Sequence, residues 1–145
     1  MIISKRIDID TGHRVPFHKG KCRSFHGHRY EIEVFVNDKL VDKKGDSSEG
    51  MVIDYGDLKM LMLAVIDKPL DHSSIYYEKD PAIKELRALE KFSEKPFVYV
   101  PFIPTAENIA KYLFENMKFV LDQEGIKIHS VKVWETATSS AIYQN

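Results

Sequence analysis

Residues 26–37 read His26-Gly27-His28-Arg29-Tyr30-Glu31-Ile32-Glu33-Val34-Phe35-Val36-Asn37. From His28 onward the even positions carry Tyr30, Ile32, Val34 and Val36, while Arg29, Glu31 and Glu33 take odd positions. Successive side chains of a strand point to opposite faces, so this alternation predicts a half-buried strand from about Gly27 to Asn37. Upstream, Ile7, Ile9, Thr11 and His13 share one parity, and Arg6, Asp8 and Asp10 the other. That predicts a first strand of the same kind. If the two pair through the loop around Lys19, they present one apolar face that needs a covering layer.

The middle of the chain supplies that layer. Leu58, Leu61, Met62, Val65 and Ile66 recur at helical spacing, with Asp57 as the expected cap and Pro69 as the expected stop. Asp80-Pro81 predicts a cap and a first-turn proline for a shorter helix carrying Ile83, Leu86 and Leu89 on one side. Phe97 to Pro101 reads as a short extended piece. Thr105 is expected to cap a long helix with Ile109, Leu113, Met117, Val120 and Leu121 inward, closed by Gly125. Two strand-like segments follow, about Lys127 to Thr136 and Ser140 to Tyr143. Asp42 to Gly50 reads as a hairpin loop or a surface connection between a strand and a helix. Strands thus cluster at the two ends of the chain with helices between them. The expected class is α+β, an antiparallel sheet with helices packed on one face.

Composition narrows the function. A chain of 145 residues that is 43% hydrophobic suits one domain, 1–145, with a real core. With 21 Lys+Arg against 22 Asp+Glu the net charge is −1, which argues against a nucleic-acid binder held by phosphate contacts. The longest apolar run, Met60 to Ile66, falls far short of the roughly 20 residues of a membrane span. The start, Met1-Ile2-Ile3-Ser4-Lys5-Arg6, becomes charged too soon for a signal peptide. A single cysteine makes no intrachain disulfide. A reducing, cytoplasmic setting is expected.

The densest polar cluster is His13, Cys22, His26 and His28. His26 and His28 point to the same side of a strand, and His13 shares its parity with Ile7 and Ile9. Pairing of the two strands would bring three imidazoles to one end of the apolar face. Three neutral nitrogens and one open position make a catalytic zinc site; a metal that merely ties strands together is the alternative. Cys22 lies in Gly20-Lys21-Cys22-Arg23, where neighbouring positive charge favours a thiolate over an inert buried thiol. Asp71-His72 is either a turn or an acid–base pair. Glu135 shares parity with Val131 and Val133, so its inward carboxylate needs a partner. That partner is a Lys or Arg of the chain or a ligand with two adjacent N–H donors. Glu107 suits the first turn of the helix begun by Thr105. His18 and His129 are expected to be surface or structural. A Cys–His hydrolase built on Cys22 and His72 would leave the three histidines unexplained.

Six segments in order resemble the 6-pyruvoyl-tetrahydropterin synthase superfamily. They are Gly12-His13-Arg14, Cys22-Arg23-Ser24-Phe25-His26-Gly27-His28, Val52-Ile53-Asp54-Tyr55, Leu70-Asp71-His72, Pro104-Thr105-Ala106-Glu107-Asn108 and Trp134-Glu135-Thr136. The three-residue spacing between Cys22 and His26 is similar to the branch that forms a 6-carboxytetrahydropterin. The resemblance implies a tunnelling fold whose sheets join into a barrel by homo-oligomerisation, usually a hexamer of two trimers. It implies Zn²⁺ on His13, His26 and His28, and Cys22 as general base. It implies Asp71 and His72 as a proton relay of the same or a neighbouring subunit. Glu135 would anchor a pterin, with Thr105 and Glu107 supporting the pocket. The implied reaction converts 7,8-dihydroneopterin triphosphate to 6-carboxy-5,6,7,8-tetrahydropterin, losing triphosphate and acetaldehyde, for queuosine and deazapurine biosynthesis. The alternative is the pyruvoyl-forming branch, which releases triphosphate only. Lys19, Lys21 and Arg23 are the bases expected to meet the triphosphate.

Overall fold

A computed structural model describes residues 1–145. β1 (Ile2–His13) and β2 (His26–Asn37) pair antiparallel, with Ile7 opposite Ile32, Ile9 opposite Tyr30, Thr11 opposite His28 and His13 opposite His26. The two alternations have their expected consequence. Ile7, Ile9, Thr11, His13, Tyr30, Ile32, Val34 and Val36 are all buried on one face. The other face carries charge: Arg6 pairs with Glu31 at 2.6 Å, and Arg29 with Asp10 at 2.7 Å. β2 continues the antiparallel pairing to β5 (Ile128–Thr136), and β5 to β6 (Ser139–Gln144).

On the far side of β1 the sheet departs from expectation. β3 (Ser73–Tyr77) runs parallel to β1, and β4 (Val98–Val100) runs parallel to β3. The six-stranded sheet, in the order β4-β3-β1-β2-β5-β6, is therefore mixed rather than antiparallel throughout. No alternation announces β3, because Ser73, Ile75 and Tyr76 are all buried. A strand covered on both faces loses the period of two. The parallel step from β3 to β4 needs a long crossover, and the segment containing α3 (Ile83–Leu89) provides it.

The helices differ from expectation at their ends. α1 (Tyr55–Met62) is capped by Asp54, whose carboxylate accepts the Gly56 N–H at 2.6 Å, and Asp57 lies in the first turn. Tyr55, Gly56 and Asp57 are exposed, so the apolar periodicity begins only at Leu58, a turn late. Pro69 does not stop the helix. Leu63–Asp67 widens into a π turn, and α2 (Lys68–Leu70) carries the proline in its first turn. The wider pairing accommodates a residue that has no N–H to donate. Asp80 does cap the approach to α3, accepting the Ala82 N–H at 2.8 Å. The helix itself starts after Pro81, at Ile83, with Leu86 buried and Leu89 exposed.

α4 (Ala106–Gln123) follows the expected pattern closely. The Thr105 hydroxyl accepts the Asn108 N–H, and Ile109, Leu113, Met117 and Leu121 are buried, with Val120 only partly so. α1 and α4 cover the apolar face of the sheet, where Leu58, Met62, Leu113 and Phe114 pack with Ile32, Val34, Val131 and Val133. This layering leaves the His13 end of the β1–β2 ladder at the edge of the core.

Candidate metal centre and adjoining cavity

His13 and His26 are cross-strand partners, and His28 follows two residues along β2 on the same face. Between them, Gly12 faces Gly27. A Cβ at Gly27 would stand 2.7 Å from the Thr11 carbonyl oxygen, and one at Gly12 2.4 Å from Ser74 Oγ. Glycine at both positions lets the strands and β3 close up beneath the imidazoles. The ring centroids lie 4.5 Å apart for His13–His26, 5.1 Å for His13–His28 and 5.0 Å for His26–His28. One ligand nitrogen from each ring lies within 4.8 Å of the others. The predicted convergence is present.

The hydrogen bonds behind the rings define their chemistry. His13 Nδ1 lies 2.8 Å from the Pro104 carbonyl oxygen, and His26 Nδ1 lies 2.8 Å from the Ser24 carbonyl oxygen. A carbonyl only accepts, so each Nδ1 carries the proton and each Nε2 presents a lone pair. Those two Nε2 atoms stand 3.1 Å apart. Two acceptors in contact require a cation or a proton between them. Burial lowers the His13 pKa more than the Pro104 contact and the Glu135 charge raise it, with His26 and His28 adding to the fall. The His28 pKa is lowered too, by burial first and then by His26, against Glu135. Both rings therefore favour the neutral form a metal needs. His28 Nε2 is buried with no hydrogen-bond partner. A tetrahedral zinc with Zn–N bonds of about 2.0–2.1 Å needs N···N edges of roughly 3.3–3.4 Å. Three inward nitrogens within 4.8 Å of one another, one of them orphaned, are a donor set suited to such an ion.

Glu135 meets this centre from the side. Its Oε1 lies 3.6 Å from His13 Nε2 and 3.7 Å from His28 Nε2, beyond hydrogen-bond range. No Lys or Arg pairs with it; instead the Tyr30 hydroxyl donates at 3.4 Å. The β5–β6 register slips between Trp134 and Thr136, so Glu135 occupies a bulge, a device that re-aims a side chain. Tyr30 lies edge-on to His13 and His28 and is almost fully buried. Burial first, and then the Glu135 carboxylate, push its pKa up, so it stays a neutral donor. Its place at the site follows from its sharing parity with His28, a signal the strand reading alone treated as core.

A cavity of about 270 Å³ opens beside Glu135 and is also lined by Cys22, Thr105 and Glu107. The four residues singled out separately thus share one wall-to-wall space. Cys22, half-buried, sits in a short 3-10 turn, Lys21–Arg23. Val15, Ala106, Ser139, Ser140 and Ala141 also line it, and none of them stood out in the sequence as a site residue. His18 is exposed, as expected, yet reaches the cavity rim, with Nδ1 accepting the Gly20 N–H. A larger apolar hollow of about 380 Å³ around Met1, Leu40, Met51 and Tyr55 contains none of these groups.

The family model for 6-pyruvoyl tetrahydropterin synthase matches residues 2–145. The chain belongs to the 6-pyruvoyl tetrahydropterin synthase family. A 6-carboxy-5,6,7,8-tetrahydropterin synthase of Haemophilus influenzae is 38% identical over 143 residues, which span 98% of this chain and 97% of that protein. The human 6-pyruvoyl tetrahydrobiopterin synthase is more distant, 28% identical over 155 aligned residues that cover 98% of this chain and 90% of that protein. A crystal structure of an uncharacterized protein from Wolinella succinogenes superposes with a TM-score of 0.81 at 27% identity, covering 100% of this chain and 98% of that one.

One pair stands apart in this family member. Asp71 accepts the Asp10 N–H at 2.9 Å through Oδ1 and lies 2.6 Å from His72 Nδ1 through Oδ2, while Lys95 donates to the Asp71 carbonyl at 2.6 Å. Burial pushes the Asp71 carboxyl up, but the Asp10 N–H, His72 and Lys95 outweigh it and hold the pKa below its ordinary value. His72 has φ 55°, and its side chain is 75% exposed. Neither residue lines the cavity of its own chain. Asp71 and His72 are thus in contact with each other but stand outside the cavity that Cys22 lines.

Proposed function

We propose that this chain is a zinc-dependent 6-carboxy-5,6,7,8-tetrahydropterin synthase that acts on 7,8-dihydroneopterin triphosphate, in the pathway to queuosine and related deazapurines. The observation that carries this reading is the cavity shared by Cys22 and Glu135 at the edge of the His13/His26/His28 cluster. The 38% identity to a relative of that name over nearly the whole chain favours the carboxy-forming branch. When bound, zinc on the three histidines would supply Lewis-acid polarisation of the substrate side-chain hydroxyls. Glu135, which has no cation of its own chain to satisfy it, accepts two adjacent N–H groups of the pterin. Thr105 and Glu107 support that wall. Cys22 takes a carbon-bound proton from the substrate side chain. Lys19, Lys21 and Arg23, exposed on the loop around Cys22, meet the triphosphate.

The exposed His72, oriented by Asp71, serves the cavity of a neighbouring subunit. That role requires a homo-oligomer, a hexamer of two trimers in which sheets join into a barrel. The same reading places the enzyme in the cytoplasm; no helix is long and apolar enough to cross a membrane.

Incubation of the zinc-loaded protein with 7,8-dihydroneopterin triphosphate, followed by mass analysis, tests the reading. The expected products are 6-carboxytetrahydropterin, acetaldehyde and triphosphate. A 6-pyruvoyl product without acetaldehyde would instead assign the pyruvoyl-forming reaction, and no conversion by folded, metal-loaded protein would defeat both. Glu135→Gln replaces an ion-assisted acceptor by a neutral amide. It is expected to raise KM by about 10–100-fold at unchanged zinc content; an unchanged KM would remove Glu135 as the pterin anchor.

A further inference from the structure

Outside the cavity, one ion pair has both charges largely withdrawn from water. Arg14 Nε stands 3.2 Å from Asp80 Oδ2, with the Asp80 side chain 0% exposed and that of Arg14 13% exposed. Neither atom has any hydrogen-bond partner beyond this pairing. The other Lys and Arg pairs of the chain all have at least one strongly exposed member. Burying two charges costs desolvation that an apolar pair of similar volume would avoid, so such a pair is weak evidence of a stabilising role. Its place in the fold points to geometry instead.

Asp80 is held on three sides. Its Oδ1 accepts the Ala82 N–H, its N–H bonds to the Tyr77 carbonyl, and its carbonyl accepts the Ile83 N–H. Arg14 directly follows His13. Its guanidinium lies 4.9 Å from the Phe25 ring centroid, and Phe25 meets Tyr76 edge-on. The next residue, Val15, lines the cavity and donates its N–H to the Cys22 carbonyl at 2.8 Å. The rest of this β1–β2 connection hangs on itself: His18 bonds to Val15, Arg23 to Gly20 and Ser24 to Lys21. Apart from the Ser24 contact to His26, the Arg14–Asp80 pair is its one polar tie to another part of the fold.

We infer that Arg14 and Asp80 form a positioning pair that locks the loop of residues 14–25 onto the β3–α3 connection and so sets the Cys22 sulfur against the cavity. The inference rests on the reading of Cys22 as the proton acceptor. Through it, the crossover segment after Tyr77, which contributes nothing to the cavity lining, acts on the site from outside.

Two variants test it, Asp80→Asn and the double variant Arg14→Met with Asp80→Asn. Both keep an acceptor for the Ala82 N–H, and the double variant leaves no buried unpaired charge. In each, kcat is expected to fall about 10–100-fold, as a misplacement of the order of 1 Å would produce, with KM changed less than about threefold. Zinc content should stay at the parent level, and iodoacetamide should alkylate Cys22 about threefold faster or more, because the loop opens more often. The double variant is expected to match the parent in thermal stability while keeping the low kcat and fast alkylation, which a purely structural pair would not do. A folded double variant with parental kcat and alkylation rate would overturn the inference. Should both variants fail to fold, hydrogen exchange of the parent decides. The Val15 and Ser24 amides are expected to exchange more slowly than those of the exposed Asp42–Gly50 connection, and equal rates would overturn it. Full turnover by Cys22→Ala would instead defeat the reading of Cys22, whereas the alkylation rate judges the pair without reference to turnover.

Discussion

Purified protein is expected to carry about one zinc per chain, and His26→Ala to carry almost none while remaining folded. His26 is only half-buried and its ring packs against other imidazoles rather than the apolar core, so its loss opens no core cavity. It also relieves the 3.1 Å approach of two Nε2 lone pairs. Two histidines then remain, one fewer than a catalytic zinc normally requires. Metal analysis of parent and variant, with circular dichroism to confirm the fold, checks this, and equal metal content would defeat the assignment. Acid should act in the same direction. Burial places the folded pKa of His13 below the ordinary histidine value of 6.5, so between the two values the unfolded chain binds more protons than the folded one. The stabilisation from keeping His13 neutral is therefore full above about 6.5 and is lost as the pH falls through the folded value. Protons compete with the metal over that same window, so zinc release and loss of stability should both appear on acidification and neither on raising the pH.

Cys22→Ala is expected to fold, retain zinc and lose turnover by about 10²–10⁴-fold, the range for removing a general base. The thiol makes no hydrogen bond and is half-buried at the cavity, so its removal leaves the core untouched. His13, His26 and His28 lie on β1 and β2, beyond the loop that carries it. Zinc analysis, thermal unfolding and a turnover assay on the same preparation separate the roles. Turnover at the parental rate would show that the proton goes elsewhere. Loss of zinc together with turnover would instead make the sulfur a metal ligand.

The legible parts of this chain are those in which local pattern and tertiary burial coincide. β1 and β2 are half-buried, so their alternation reports both the strands and the face bearing His13, His26 and His28. Glu135 is visible for the same reason, as a carboxylate at an inward position of β5. Legibility fails where burial is two-sided or where a helix begins on the surface. β3 has no alternation to read, and with it goes the parallel half of the sheet. The exposed first turn of α1 hides Asp54 behind Asp57, and the π turn carries the helix past Pro69. The arrangement of Asp71 and His72 is likewise out of reach, since the Asp10 N–H and Lys95 that hold them come from distant positions.

The amino-acid order alone determined the strand faces, the long capped helix and the set of chemically apt side chains, because each depends on neighbours within a few residues. Tertiary structure decided the tautomers of His13 and His26, through carbonyls of Pro104 and Ser24, and the meeting of Cys22 with Glu135. It also decided the pairing of Arg14 with Asp80. Lone-pair direction and charge burial are properties of the assembled surroundings, which no local pattern encodes.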